Sequence, residues 1–262
     1  MTESNVWIVI PCYNEEKILP KIYERFVDEL HDMKQNNIAD NNSIILFVDD
    51  GSSDNTWNII SSISEKYKDV HGLKLERNAG QQCAILAGLM TAKKNGADAT
   101  ITIDCDGQDD IHAMTQMMQA FNSGYDIVYG VRNDRSCDTF IKRNAALVYY
   151  RLIRLFDRNM ICNHGDFRLM SKNVLDYIDA HGEHTLFLRK LCSTIDYNYE
   201  NIKSVRVYHK RLEREAGETH YSLSMMFQLA IHSLRPVHHK IGHASHKNQY
   251  MIKLCTYKSI ML

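Results

Sequence analysis

Proline and glycine are scarce in this chain, at 3 and 12 of 262 residues, which excludes collagen-like and linker-rich architectures. With 44% hydrophobic residues the composition is that of a folded body, not of a disordered one. No stretch approaches the roughly 18–20 consecutive apolar residues that a membrane span needs. The apolar run Val6–Ile10 follows an acidic start without a basic flank, so it does not read as a signal peptide. The seven cysteines, at 12, 83, 105, 137, 162, 192 and 255, form no CxxC, and their odd number and wide spacing exclude a disulfide framework and a cysteine-rich zinc site. A reducing, cytosolic compartment is the expectation. Excess charge is missing as well: 31 Lys and Arg nearly cancel 32 Asp and Glu, leaving −1. A general field for holding nucleic acid is therefore absent, and any anion site must be local. Neither GxxxxGK[ST] nor GxGxxG occurs, which disfavours P-loop and dinucleotide chemistry.

What is present alternates. Val6–Ile10, Ile44–Val48, Leu73–Leu75, Thr100–Ile103 and Asp126–Tyr129 read as strands, separated by helical-period segments at about 15–34, 54–67, 81–95 and 111–122. The order predicts βαβ units, hence an α/β fold with a mostly parallel, Rossmann-like sheet flanked by helices. The strands are continuous apolar runs, as a sheet buried on both faces requires. Residues 139–160 read as an amphipathic, basic helix that suits either core packing or a membrane surface. After a Gly-Asp-Phe-Arg-Leu-Met stretch and short helices come a strand at 202–209, a polar loop at 210–221 and an apolar helix at 222–234. The tail 235–262 is polar and His-rich, without a clear period, and predicts no regular structure.

Ligands of open α/β sheets lie beyond the carboxyl ends of the strands, and acidic residues cluster at two such ends. Asp49-Asp50-Gly51-Ser52 closes one strand. Turn and cap duty alone would use the same residue types, yet two adjacent carboxylates exceed what a turn needs. Asp104-Cys105-Asp106-Gly107-Gln108-Asp109-Asp110 follows another strand with four carboxylates in seven residues. Such density calls for a divalent cation, and oxygen ligands suit Mg²⁺ or Mn²⁺. Solvated acids at a helix start are the plainer alternative. A metal at a strand end, without a phosphate loop, points to a metal-held diphosphate as leaving group, in a nucleotidyl or glycosyl transferase.

Several motifs occur in order: Ile10-Pro11-Cys12-Tyr13-Asn14-Glu15-Glu16, Val48-Asp49-Asp50-Gly51-Ser52-Ser53-Asp54, Arg77-Asn78-Ala79-Gly80, Asp104-Cys105-Asp106-Gly107-Gln108-Asp109, Gly165-Asp166-Phe167-Arg168-Leu169-Met170 and Arg214-Glu215-Ala216-Gly217-Glu218-Thr219-His220-Tyr221. Together they resemble the family-two inverting glycosyltransferases of GT-A fold, in the branch of dolichyl-phosphate mannose synthases and bactoprenol glucosyltransferases. The resemblance spans roughly residues 5–234 and implies a catalytic domain at 1–234, with 235–262 where the family usually has transmembrane helices. It implies a nucleotide-sugar pocket lined by Pro11, Tyr13, Glu15, Asp49, Asp50, Gly80 and Asp104, with Asp50 at the base. It implies Mg²⁺ or Mn²⁺ on Asp104, Asp106 and Gln108, and Asp166 as the acceptor-side base. Arg132 and Arg143 would meet the acceptor phosphate and Arg214 the substrate phosphates, so that Asp166, Asp106 and Arg214 form the catalytic set. His220 stands where the branch commonly has Lys.

The expected reaction moves a hexose from a UDP- or GDP-sugar, glucose-type before mannose, to a polyprenyl phosphate at the cytoplasmic membrane face. Peripheral membrane contact and self-association fit such an enzyme, and nucleic acid does not. Two rival readings stay open: extension of a surface polysaccharide, and a nucleotide-sugar-binding remnant without turnover.

Overall fold

The computed structural model describes residues 3–133, 164–181, 188–212 and 257–261. The chain runs β1 (Val6–Cys12), α1 (Leu19–Gln35), β2 (Ile44–Asp49), α2 (Thr56–Lys66), β3 (Val70–Leu75), α3 (Gln81–Lys94), β4 (Ala99–Thr102), α4 (Ala113–Asn122), β5 (Ile127–Arg132), β6 (His164–Ser171), α5 (Lys172–His181), α6 (Leu188–Asn198), β7 (Ser204–His209) and β8 (Tyr257–Met261). The strands form one sheet in the order β7-β5-β6-β4-β1-β2-β3-β8. Pairing is parallel for β3-β2-β1-β4 and for β5 with β7, while β6 runs antiparallel to β4 and β5, and β8 antiparallel to β3.

Every residue of β2 is buried, as expected of a strand covered on both faces. One layer of core lies under α1, where Ile22, Phe26, Leu30 and Met33 recur on a single face, all fully buried. The other lies under α3, pressed so closely to the sheet that a Cβ on Gly88 would stand 2.3 Å from Val9 Cγ1. Helix α1 begins at Leu19, four residues later than the periodicity predicts. The Glu15 and Glu16 N–H groups are captured by Thr56 Oγ1 (2.8 Å) and Asp54 Oδ2 (3.2 Å), and Pro20 suits a first helical turn.

Two elements differ from expectation. The Gly-Asp-Phe-Arg-Leu-Met stretch is a strand, β6, inserted between β4 and β5. The tail is not wholly irregular, because 257–261 pairs along the edge of β3 and supplies partners for backbone groups that would otherwise be open. The predicted helix at 139–160, the loop beyond Leu212 and the helix at 222–234 lie outside the described residues. Among those described, no helix is long and apolar enough to cross a membrane.

Candidate active site

After β1, the chain adds β2 and β3 on one side and then crosses to place β4 on the other. This reversal between β1 and β4 opens a crevice at the strands' carboxyl ends. Cys12, Asp49 and the loop from Ile103 to Asp110 all converge on it, because the parallel register aligns Cys12 with Asp49 and Val9 with Thr102.

The rim beside β1 and β2 is laced by polar bonds. Asn14, with φ at 55°, donates its backbone N–H to Ser52 Oγ and accepts from the Ser53 N–H, both at 2.9 Å. Pro11, Tyr13 and Glu15 lie half-buried along this rim. Asp49 Oδ1 accepts the Ser52 N–H at 3.1 Å. Its Oδ2 is buried with no hydrogen-bond partner, and Lys74 Nζ stands 3.8 Å away. Asp50 behaves differently. Its two oxygens accept the N–H groups of Ala79 (2.7 Å) and Gly80 (2.9 Å), so it clamps the loop that launches α3. Burial outweighs these two bonds and the Asp49 charge adds to it, which pushes the Asp50 carboxyl up to about 6. Gly51 must be glycine: its φ is +66° and an added Cβ would lie 2.4 Å from the Arg77 carbonyl carbon.

The acidic loop after β4 divides into two parts. Asp104 is pushed up to about 8, by burial first and then by the neighbouring charges of Asp106, Asp109 and Asp166, with Arg132 opposing. Asp106 Oδ1 accepts the Gln108 N–H at 3.0 Å. Asp109, by contrast, is neutralised: Arg132 Nε and Nη2 fork onto it at 3.0 and 3.3 Å. Arg132, expected at an acceptor phosphate, therefore has its fork engaged by a carboxylate. Gln108 Oε1 accepts from Arg211 Nη2 at 2.8 Å, and the Gln108 carbonyl accepts the Leu212 N–H, so the side chain expected as a third ligand is held by the segment following β7. Among the described residues no group of three or more His, Cys, Asp or Glu is gathered for a metal. The donor set that fits is smaller. Asp104 and Asp106 offer two hard oxygen ligands at the end of β4, and Mg²⁺ or Mn²⁺ binds through one or two carboxylates together with substrate phosphates.

On the neighbouring strand β6, Asp166 is 3% exposed and fully partnered. Arg168 Nη2 (2.9 Å) and Arg189 Nε (3.1 Å) donate to its Oδ1, while Arg189 Nη2 (3.0 Å) and Gln82 Nε2 (3.0 Å) donate to its Oδ2. Burial alone would raise its pKa, but Arg189 and Arg168 outweigh burial and hold the carboxyl well below the usual range. The Thr102 hydroxyl fixes the backbone by donating to the Asp166 carbonyl. Sequence reasoning missed Arg168, Arg189, Gln81 and Gln82 as site residues. The glutamines directly follow the Arg77-Asn78-Ala79-Gly80 motif, which was their only signal. Arg143 and Arg214 lie outside the described residues.

The crevice thus brings two oxygen ligands after β4 beside a carboxylate held by two arginines. The model of glycosyl transferase family 2 matches residues 7–179. The chain belongs to glycosyl transferase family 2. It is 42% identical over 227 residues to the uncharacterized glycosyltransferase YkoT of Bacillus subtilis, covering 87% of this chain and 66% of that protein. It is 33% identical over 228 residues to the prophage bactoprenol glucosyl transferase homolog of Escherichia coli, covering 87% and 70%. The chain thus spans about two thirds of the length of such relatives. The fold is shared with glucosyl-3-phosphoglycerate synthase of Mycobacterium tuberculosis in complex with UDP, at TM-score 0.59 and 15% identity over 87% of this chain and 76% of that one. The expected GT-A architecture and the family-two membership both hold.

Proposed function

We propose that this family-two chain is an inverting hexosyltransferase that moves a sugar from a UDP- or GDP-sugar to a polyprenyl phosphate, with Mg²⁺ or Mn²⁺ at Asp104 and Asp106, working at the cytoplasmic face of a membrane. The observation that carries the reading is the grouping at the strand ends: Asp104 and Asp106 follow β4 as hard oxygen ligands, beside Asp166 on β6, which Arg168 and Arg189 grip. Relatives that are bactoprenol glucosyl transferases or homologs of them support the acceptor. The mycobacterial synthase, which shares only the fold, has been crystallised with Mn²⁺ and UDP-glucose, consistent with the donor and the ion.

When bound, the metal would neutralise charge on the departing diphosphate. The remaining work belongs to the chain. Asp50 holds the Ala79–Gly80 loop against the end of β2, shaping the pocket for the nucleotide, and the buried Asp49 oxygen gives that pocket a polar floor. An acceptor phosphate has a second pKa near 6, so it reaches neutral pH largely as a dianion and needs little help as a nucleophile. Asp166, ionised and gripped by two guanidinium groups, is a poor proton acceptor. It serves instead to hold Arg168 and Arg189 in place on the acceptor side, with the transition state taken as oxocarbenium-like.

The test is extraction of transferred label. Purified protein is incubated with labelled UDP-glucose or GDP-mannose, Mn²⁺, and either undecaprenyl phosphate or a soluble oligosaccharide. Label in the organic phase supports the proposal, and label only in the soluble glycan supports polysaccharide extension. Nucleotide binding without transfer to either acceptor identifies a binding remnant.

A further inference from the structure

Two consecutive side chains in the first turn of α3 reach to two different carboxylates. Gln81 Nε2 donates to Asp104 Oδ1 at 2.6 Å, and Gln82 Nε2 donates to Asp166 Oδ2 at 3.0 Å. Gln82 Oε1 also accepts the backbone N–H of Leu188 at 3.3 Å. Leu188 opens α6, and the next residue, Arg189, grips both oxygens of Asp166. The turn that launches both glutamines is itself clamped, through Ala79 and Gly80, by Asp50. One short stretch of backbone is therefore tied at once to the end of β2, to the loop after β4 and to β6. A neutral amide suits both positions. It donates to a carboxylate without adding a positive charge that would compete with a cation at Asp104, and without a negative one that would repel Asp166.

We propose that Gln81 and Gln82 are paired positioning residues that set Asp104 and Asp166 at a fixed separation, Gln81 serving donor and metal binding and Gln82 serving the transfer step. This rests on the reading that Asp104 faces the donor diphosphate and Asp166 the acceptor. The division of labour is what distinguishes positioning from simple packing of α3, whose buried face is made by Cys83, Ala84, Ala87, Gly88 and Leu89.

The test compares Gln81→Met, Gln82→Met and Gln82→Glu with the wild-type chain. Mn²⁺-dependent binding of UDP is measured by calorimetry, and steady-state kinetics use UDP-glucose with a short-chain polyprenyl phosphate. Q81M is expected to weaken UDP binding and raise the donor KM about tenfold, the weight of one hydrogen bond to a charged group, with kcat little changed. Q82M is expected to leave UDP binding within about twofold while kcat falls about tenfold. Q82E keeps an acceptor for the Leu188 N–H but sets a second negative charge against Asp166, so its kcat falls further. Wild-type kcat in Q82E beside a loss in Q82M would reduce Gln82 to a cap for α6 and overturn the proposal. Equal shifts of UDP binding and kcat in Q81M and Q82M would overturn it too, as general loosening of α3. A wild-type chain that neither binds UDP with Mn²⁺ nor turns over would overturn the functional reading as well, so the two failures are distinguishable.

Discussion

Gly51→Ala tests how the nucleotide side of the crevice is held together. The substitution has two costs. An L-residue at φ +66° loses roughly 1–2 kcal/mol relative to glycine. The new methyl would also lie 2.4 Å from the Arg77 carbonyl carbon and 2.5 Å from the Asn78 nitrogen. Both are backbone atoms that no rotamer change can move, and overpacking of this kind costs about 1–3 kcal/mol more. Relief requires the Arg77–Asn78 loop to shift, and Ala79 and Gly80, the residues Asp50 holds, shift with it. Gly96→Ala supplies the control. Its φ is +81°, yet nothing lies within 4 Å of the added carbon, so it carries the conformational cost without the clash. Urea unfolding followed by circular dichroism should place G51A about 1–3 kcal/mol below G96A, and UDP binding with Mn²⁺ should weaken in G51A alone. Equal stabilities and equal UDP affinities in the two variants would mean that the Arg77–Asn78 backbone does not constrain the nucleotide side of the crevice.

Other expectations concern single groups. Asp166→Asn leaves Arg168, itself 1% exposed, beside a neutral partner, and breaking a buried pair of this kind should cost about 3 kcal/mol by urea unfolding, with transfer activity lost. Asp50 bears on pH: its folded pKa of about 6 stands above the ordinary 3.8, so the folded chain binds this proton more tightly than the unfolded chain. Its contribution to stability is present below pH 4 and is lost as pH rises through 6, by an order of 3 kcal/mol; urea midpoints across pH 4–7 should show that component vanish in D50N. Gly88→Ala should destabilise by about 1–3 kcal/mol, because its methyl meets Val9 and Val48 side chains at 2.3 and 3.1 Å, while the metal dependence of any turnover stays unchanged.

Much of the fold was legible because burial on both faces leaves a plain mark: β1 and β2 are near-continuous apolar runs, and the face of α1 repeats with helical period. Strand β6 was not. Its sequence places Asp166 and Arg168 inside a buried strand, and charged residues there give no strand pattern until their mutual neutralisation is seen in three dimensions. The pairing of 257–261 with β3 was equally hidden, since it joins residues far apart along the chain and no period announces it. For the site, the two acidic clusters were visible as carboxylate density. What each carboxylate does was not, because it depends on its partners: Asp109 belongs to Arg132, Asp166 to Arg168 and Arg189, and Asp50 to a backbone loop. Asp104 and Asp106 remain the oxygen pair from which a cation site was expected.

Metal-dependent sugar transfer from a nucleoside diphosphate donor to a lipid phosphate is measured as nucleoside diphosphate release from UDP- and GDP-sugars with Mn²⁺, Mg²⁺ or chelator, with and without a polyprenyl phosphate, beside Asp106→Asn. Release should require the ion, one donor and the lipid phosphate together, and disappear in D106N. Release that continues in chelator, or at the same rate in D106N, would contradict that requirement.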